Sequence, residues 1–118
     1  MQRRALAASP VLALVMACAS PTLPLPPPEE VSVGLGPDAD HVTLIGLCGG
    51  TPRNVFVVVI NEGGSKVPVP LDQSVGGART DPTCGKWDAT VFAHSGDLLS
   101  VTYDEDEFVS QSLLIGVP

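Results

Sequence analysis

Basic residues are scarce in this chain. Six lysines and arginines stand against 13 aspartates and glutamates, a formal net charge of −7 over 118 residues. Nucleic acid and anionic surfaces both select for a basic patch, so this composition argues against either being bound through protein charge. Histidine occurs only as His41 and His94, and cysteine only as Cys18, Cys48 and Cys84. There is no Cys-x-x-Cys pair and no cysteine beside a histidine, so the usual zinc and redox signatures are missing. Beyond residue 31 no segment carries a helical apolar period. No apolar run reaches the about 20 residues that a membrane-spanning helix needs.

Catalytic and cofactor patterns are missing too. A nucleophile needs a base and an orienting acid held around it. His94-Ser95-Gly96-Asp97 has the right residue types, but neighbours in one short turn do not supply that geometry. Asp97 is expected instead to accept backbone N–H groups within the turn. Glu62-Gly63-Gly64-Ser65-Lys66 lacks the spacing of a phosphate loop. Asp104 to Glu107 are four consecutive carboxylates, without the alternating ligands, glycine and distant glutamate of a calcium loop. They read as a solvated turn that keeps a strand end from pairing with neighbours. The expectation is therefore no catalytic residue, no metal site and no cofactor.

What is present begins with an address. Arg3 and Arg4 form a positive start, and Ala5 to Ala17 is apolar except for Ser9 and Pro10. Those are the proportions of a secretory signal. The run ends Leu14-Val15-Met16-Ala17-Cys18, which resembles the lipobox of bacterial lipoproteins. An aliphatic residue, Val15, stands three before the cysteine and a small one, Ala17, directly before it; Met16 is larger than usual. The resemblance implies cleavage of residues 1–17 and acylation of Cys18, giving a membrane contact through lipid. A single acyl chain anchors weakly, whereas several hold stably. The residues flanking Arg3-Arg4 fit a twin-arginine signal poorly, so ordinary unfolded export is expected. Ala19, where inner-membrane retention would use Asp, implies the outer membrane, with the domain facing the periplasm or the cell surface.

Processing changes the arithmetic. Four basic residues remain, Arg53, Lys66, Arg79 and Lys86, against all 13 acidic ones, so the net charge becomes −9. With Cys18 consumed by lipid, Cys48 and Cys84 are left as a pair that an oxidising compartment should join as a disulfide. Closing that loop stabilises by roughly 4 kcal/mol on the chain-entropy model, a large share for a domain of this size.

Residues 18–30 contain Pro21, Pro24 and Pro26 to Pro28, an extended, semi-rigid tether. From residue 31 to 118 the texture is β. Strands are expected over 41–48, over 54–60 (apolar enough to be buried on both faces or central in a sheet), over 87–93 with Trp87, Ala89, Val91 and Ala93 on one face, and over 98–103 with Leu99, Val101 and Tyr103 together. A closing strand over 108–117 turns Val109, Leu113, Ile115 and Val117 inward. Pro68 and Pro70 make 66–71 an edge strand or irregular. Residues 72–85 read as a Gly-rich polar loop, and Trp87 as packing over the disulfide. Short strands at this spacing predict one small antiparallel β-sandwich of six or seven strands, with a small barrel as the alternative.

The stretch from Trp87 to Pro118 resembles the second half of bacterial immunoglobulin-like and carboxypeptidase-regulatory-like modules. It is carried by Ala93, Gly96-Asp97, Leu99, Val101, Tyr103, Ser110 and Val117-Pro118; a disulfide between Cys48 and Cys84 is not part of that pattern. Such modules are mostly non-catalytic. The resemblance implies a structural or interaction module whose partner is an envelope protein or glycan. The alternative is a periplasmic binding or inhibitor protein for a small solute, a cation or a secreted enzyme, which would need a pocket or a protruding loop near 72–85.

Overall fold

The computed structural model describes residues 24–118; the signal segment and Cys18 lie outside them. The described chain is all-β, with eight strands in two antiparallel sheets and one short 3₁₀ turn at Leu71–Gln73. The strands are β1 Val31–Leu35, β2 His41–Gly46, β3 Phe56–Asn61, β4 Val75–Arg79, β5 Trp87–Phe92, β6 Leu98–Glu105, β7 Phe108–Val109 and β8 Leu113–Gly116. One sheet runs β1-β2-β5. The other runs β4-β3-β6, and β6 then pairs successively with β7 and β8. No pairing joins the two sheets among the described residues, so the molecule is a sandwich and not a closed barrel.

Alternation builds the core. On β5, Trp87, Ala89 and Val91 turn inward; on β6, Leu99, Val101 and Tyr103 do so. Leu44, Val57 and Val59 complete a layer with no solvent exposure at those three positions. The expected inward sets on 87–93 and 98–103 are thus observed, as are Leu113, Ile115 and Val117.

Four expectations need correction. First, β3 is central but buried on one face only: Phe56 and Ile60 stand 43% and 37% exposed on the other. An all-apolar strand does not reveal which face lacks a covering layer. Second, the 72–85 stretch is not a loop throughout, because it contains β4. Its glycines are packing requirements. A Cβ on Gly76 would lie 2.8 Å from the Thr90 carbonyl oxygen, where β4 abuts β5, and one on Gly77 would meet the Phe56 ring at 3.0 Å. Third, Val109 faces solvent at 62% exposure, because Ser110 breaks the closing strand in two. The Ser110 hydroxyl accepts from Tyr103 N–H at 2.9 Å and donates to Gln111 C=O at 2.9 Å. Fourth, β6 runs through Glu105, so the acidic turn narrows to Asp106-Glu107, with Asp106 at φ 56°. Residues 66–70 are irregular, as their prolines require.

Part of the proline segment belongs to the body. Pro28 is fully buried and Leu25 packs on the core. Leu25 C=O accepts from Gln111 N–H at 3.1 Å, Glu29 N–H donates to Gly50 C=O at 2.9 Å, and Leu47 N–H donates to Glu30 C=O at 3.1 Å. Gln111 lies between β7 and β8 of the five-stranded sheet and Gly50 follows β2 of the three-stranded one, so residues 25–30 bond to segments of both.

Gly46 tests the packing. It lies opposite Trp87 in the β2–β5 register, and a Cβ there would run into the indole ring. Gly46→Ala is expected to destabilise by about 1–3 kcal/mol and to shift Trp87 fluorescence, both measured in one urea titration.

Candidate functional site

The polar side chains held inside this domain gather at its two ends. At one end Asp97 is fully buried at the β5–β6 turn. Its carboxylate accepts from His94 N–H at 2.9 Å, from Ser65 N–H at 3.0 Å and from the Asn61 side-chain amide at 3.0 Å. Asn61 also donates to Phe92 C=O at 2.7 Å and accepts from Gly63 N–H at 2.7 Å. The Asp97 backbone accepts from Val117 N–H at 2.9 Å. Burial alone would raise this carboxyl's pKa. The donors from His94, Asn61 and Ser65 outweigh it and hold the group at about 2, against an ordinary 3.8. Asp97 therefore accepts backbone N–H bonds, as expected of the turn, and it also reaches a neighbouring loop and a strand end.

The histidines sit close to that end. His41 begins β2 and His94 follows β5, and their rings meet Phe92 edge-on with centroids 5.8 and 5.0 Å away. Each pairs with an acid of the β1–β2 turn. His41 Nδ1 lies 2.7 Å from Asp38, and His94 Nε2 lies 2.9 Å from Asp40. The bond from His41, together with the Asp40 N–H, holds the exposed Asp38 carboxyl below its ordinary pKa. His94 Nδ1 is buried without a partner. With the proton on Nε2, facing Asp40, Nδ1 is a lone pair, and an unpaired acceptor is tolerated better than an unpaired donor. Among the described residues no group of three or more His, Cys, Asp or Glu converges as metal ligands would.

At the other end Cys48 and Cys84 form a disulfide across 36 residues, with Cα atoms 4.9 Å apart. It ties the β2–β3 loop to the β4–β5 loop. Asp81 shapes the second loop: one carboxylate oxygen accepts from the N–H groups of Thr83, Cys84 and Gly85 at 3.2, 2.8 and 2.9 Å. The bond from Cys84 N–H is the main reason its pKa is lowered. Thr80 is buried, accepting from Val55 N–H at 2.9 Å and donating to Pro52 C=O at 2.7 Å. Trp87 is 5% exposed, and its indole N–H donates to the Thr51 hydroxyl at 3.2 Å.

Beside the disulfide lies an open groove of about 560 Å³. Ile45, Leu47, Ala78 and Trp87 form its apolar part, and Arg79 and Lys86 line it together with Asp81 and Asp88. A second concavity, of about 470 Å³, sets Arg53 and Arg79 near Asp104, Glu105 and Asp106. The acidic turn thus has basic residues for neighbours, a proximity the sequence does not reveal. Among the described residues no helix is long and apolar enough to cross a membrane. No protein-family model, curated protein or solved structure matches the chain.

Asp97 has a definite pH signature. A carboxyl whose pKa is depressed on folding adds stability above its unfolded pKa and loses it on protonation. The contribution is roughly 2 kcal/mol, full above pH 3.8 and lost as the pH falls towards about 2. Asp97→Asn should lose about 2–3 kcal/mol at neutral pH and flatten this part of the acid-unfolding profile, read by circular dichroism. Asp81→Ala should slow re-formation of the disulfide from reduced protein severalfold, followed by thiol titration.

Proposed function

We propose that this is a non-enzymatic, lipid-anchored envelope protein whose sandwich serves as a structural or protein-interaction module. The observation that carries the reading is where the interior polar groups spend their hydrogen bonds. Asp97, Asn61, Thr80 and Ser110 are all buried and all bind the domain's own turns and strand ends. Groups committed in this way hold the fold and are not poised to take up a proton or a substrate. An immunoglobulin-like classification is supported by the crossing connections that pair β2 with β5 and β3 with β6. Ala93, Asp97, Leu99, Val101, Tyr103, Ser110 and Val117, which carry that resemblance, are all buried.

The anchor is Cys18, acylated after removal of residues 1–17, in an outer membrane with the domain facing the periplasm or cell surface. The net negative charge leaves lipid as the natural membrane contact. A second reading, a binding or inhibitor protein, is favoured by one observation: the groove beside the disulfide joins apolar surface to charged groups of both signs, Arg79 and Lys86 with Asp81 and Asp88.

Mass spectrometry of the mature protein from its own membrane fraction tests the anchor. The expected species begins at Cys18 and carries a diacylglycerol and an N-acyl chain, and Cys18→Ala carries none. An unmodified wild-type N-terminus would overturn the anchor. For the second reading, Leu47→Asp should abolish ligand-dependent change in Trp87 fluorescence, if a screen of envelope solutes finds such a change.

A further inference from the structure

The outer face of the five-stranded sheet is unusually apolar for an antiparallel sheet that meets water. Such sheets ordinarily alternate apolar inside and polar outside. Here Phe56, Val58 and Ile60 of β3 point outward, flanked by Val75 on β4 and by Leu98 and Leu114 towards the other edge. Val75 and Leu114 are 59% and 60% exposed. A contiguous patch of this kind marks an interaction surface.

The strand register gives the patch a two-fold character. In the row through Phe56, Arg79 of β4 lies on one side and Asp104 of β6 on the other. The next outward row reads Gly77, Val58, Thr102, and the third reads Val75, Ile60, Ser100. Neighbouring strands are about 4.8 Å apart, so Arg79 and Asp104 are nearly equidistant from β3. A two-fold axis laid along β3 turns the sheet onto itself and sets each Arg79 opposite the other copy's Asp104. Val58 and Ile60 then meet their own counterparts, and Thr102 faces the Phe56 ring that lies over the other copy's Gly77. The ion pairs among the described residues are both histidine–aspartate pairs, so Arg79 has no carboxylate partner of its own among them. Its guanidinium is oriented by a 3.1 Å bond to Asn54 C=O.

We propose that the occupant of this face is a second copy of the chain, packed sheet on sheet about the β3 axis with reciprocal Arg79–Asp104 pairs. The patch satisfies what an isologous interface demands, a surface complementary to itself. Its footprint is on the order of 400 Å² per copy, small for a specific interface, so the dimer is weak and dissociates on dilution. The inference does not depend on the anchor at Cys18.

Cross-linking of the purified full-length chain tests it, because Val58 lies on the axis. Val58→Cys with a short bis-maleimide should give a dimer well above the parent chain, whose other thiols supply the background. Ser32→Cys, exposed on the other sheet, should not. Adding Arg79→Asp should cut the dimer by at least about tenfold. Arg79→Asp with Asp104→Arg should restore it, which a merely misfolded variant would not do. An intact Cys48–Cys84 bridge on non-reducing gels checks folding of each variant. Absence of dimer at position 58, an equal yield at position 32, or indifference to the charge exchange would overturn the proposal. So would an adduct with a different protein, in place of the dimer, when Val58→Cys is cross-linked in the host envelope.

Discussion

The buried carboxylate of Asp97 is the contact on which the arrangement of this domain turns. It gathers donors from the β5–β6 turn, from the loop after β3 and from the Asn61 side chain. Its backbone oxygen holds Val117 at the end of the chain. Those segments come from both sheets, so one ionised group fixes how the two layers meet at that end. A buried charge is costly unless hydrogen-bonded throughout, and here the donors are sufficient to lower its pKa. The opposite end is closed by a different chemistry, a covalent bridge whose second loop is shaped by Asp81. The core between them needs only apolar bulk.

This division explains what was readable in the sequence. Period-two alternation made the inward residues of β5 and β6 plain, because each has a covered face and a wet one. The disulfide followed from counting cysteines once Cys18 was assigned to lipid. Asp97 could be placed as a turn acceptor from Gly96-Asp97 alone. Its reach to Ser65 and Asn61 could not, since those contacts span 32 and 36 residues and leave no local pattern. β4 was hidden by its glycines, which ordinarily signal a loop; they serve close approach to Thr90 and Phe56. The outward face of β3 was hidden for the opposite reason. Apolar residues on both faces look the same whether the second face is covered by the same chain or left open.

The histidines and the acidic turn show the same limit. His41 and His94 are 53 residues apart in the chain yet flank one ring, because β2 and β5 are neighbours in the sheet. Asp104 to Asp106 share a concavity with Arg53 and Arg79 because β3 brings both strands together. A charge run read in isolation looks solvated. Read across strands, it has an opposite sign within reach.

The docking of residues 25–30 across the two sheets has a mechanical consequence. On the proposed reading, the chain between the acylated Cys18 and the docked Leu25 is only seven Cα steps long. Its full reach is therefore about 25 Å, less than the long dimension of many small domains. A leash that short does not let the sandwich roam or turn over freely. On that reading the domain is mounted close to the bilayer, held from its Leu25 end.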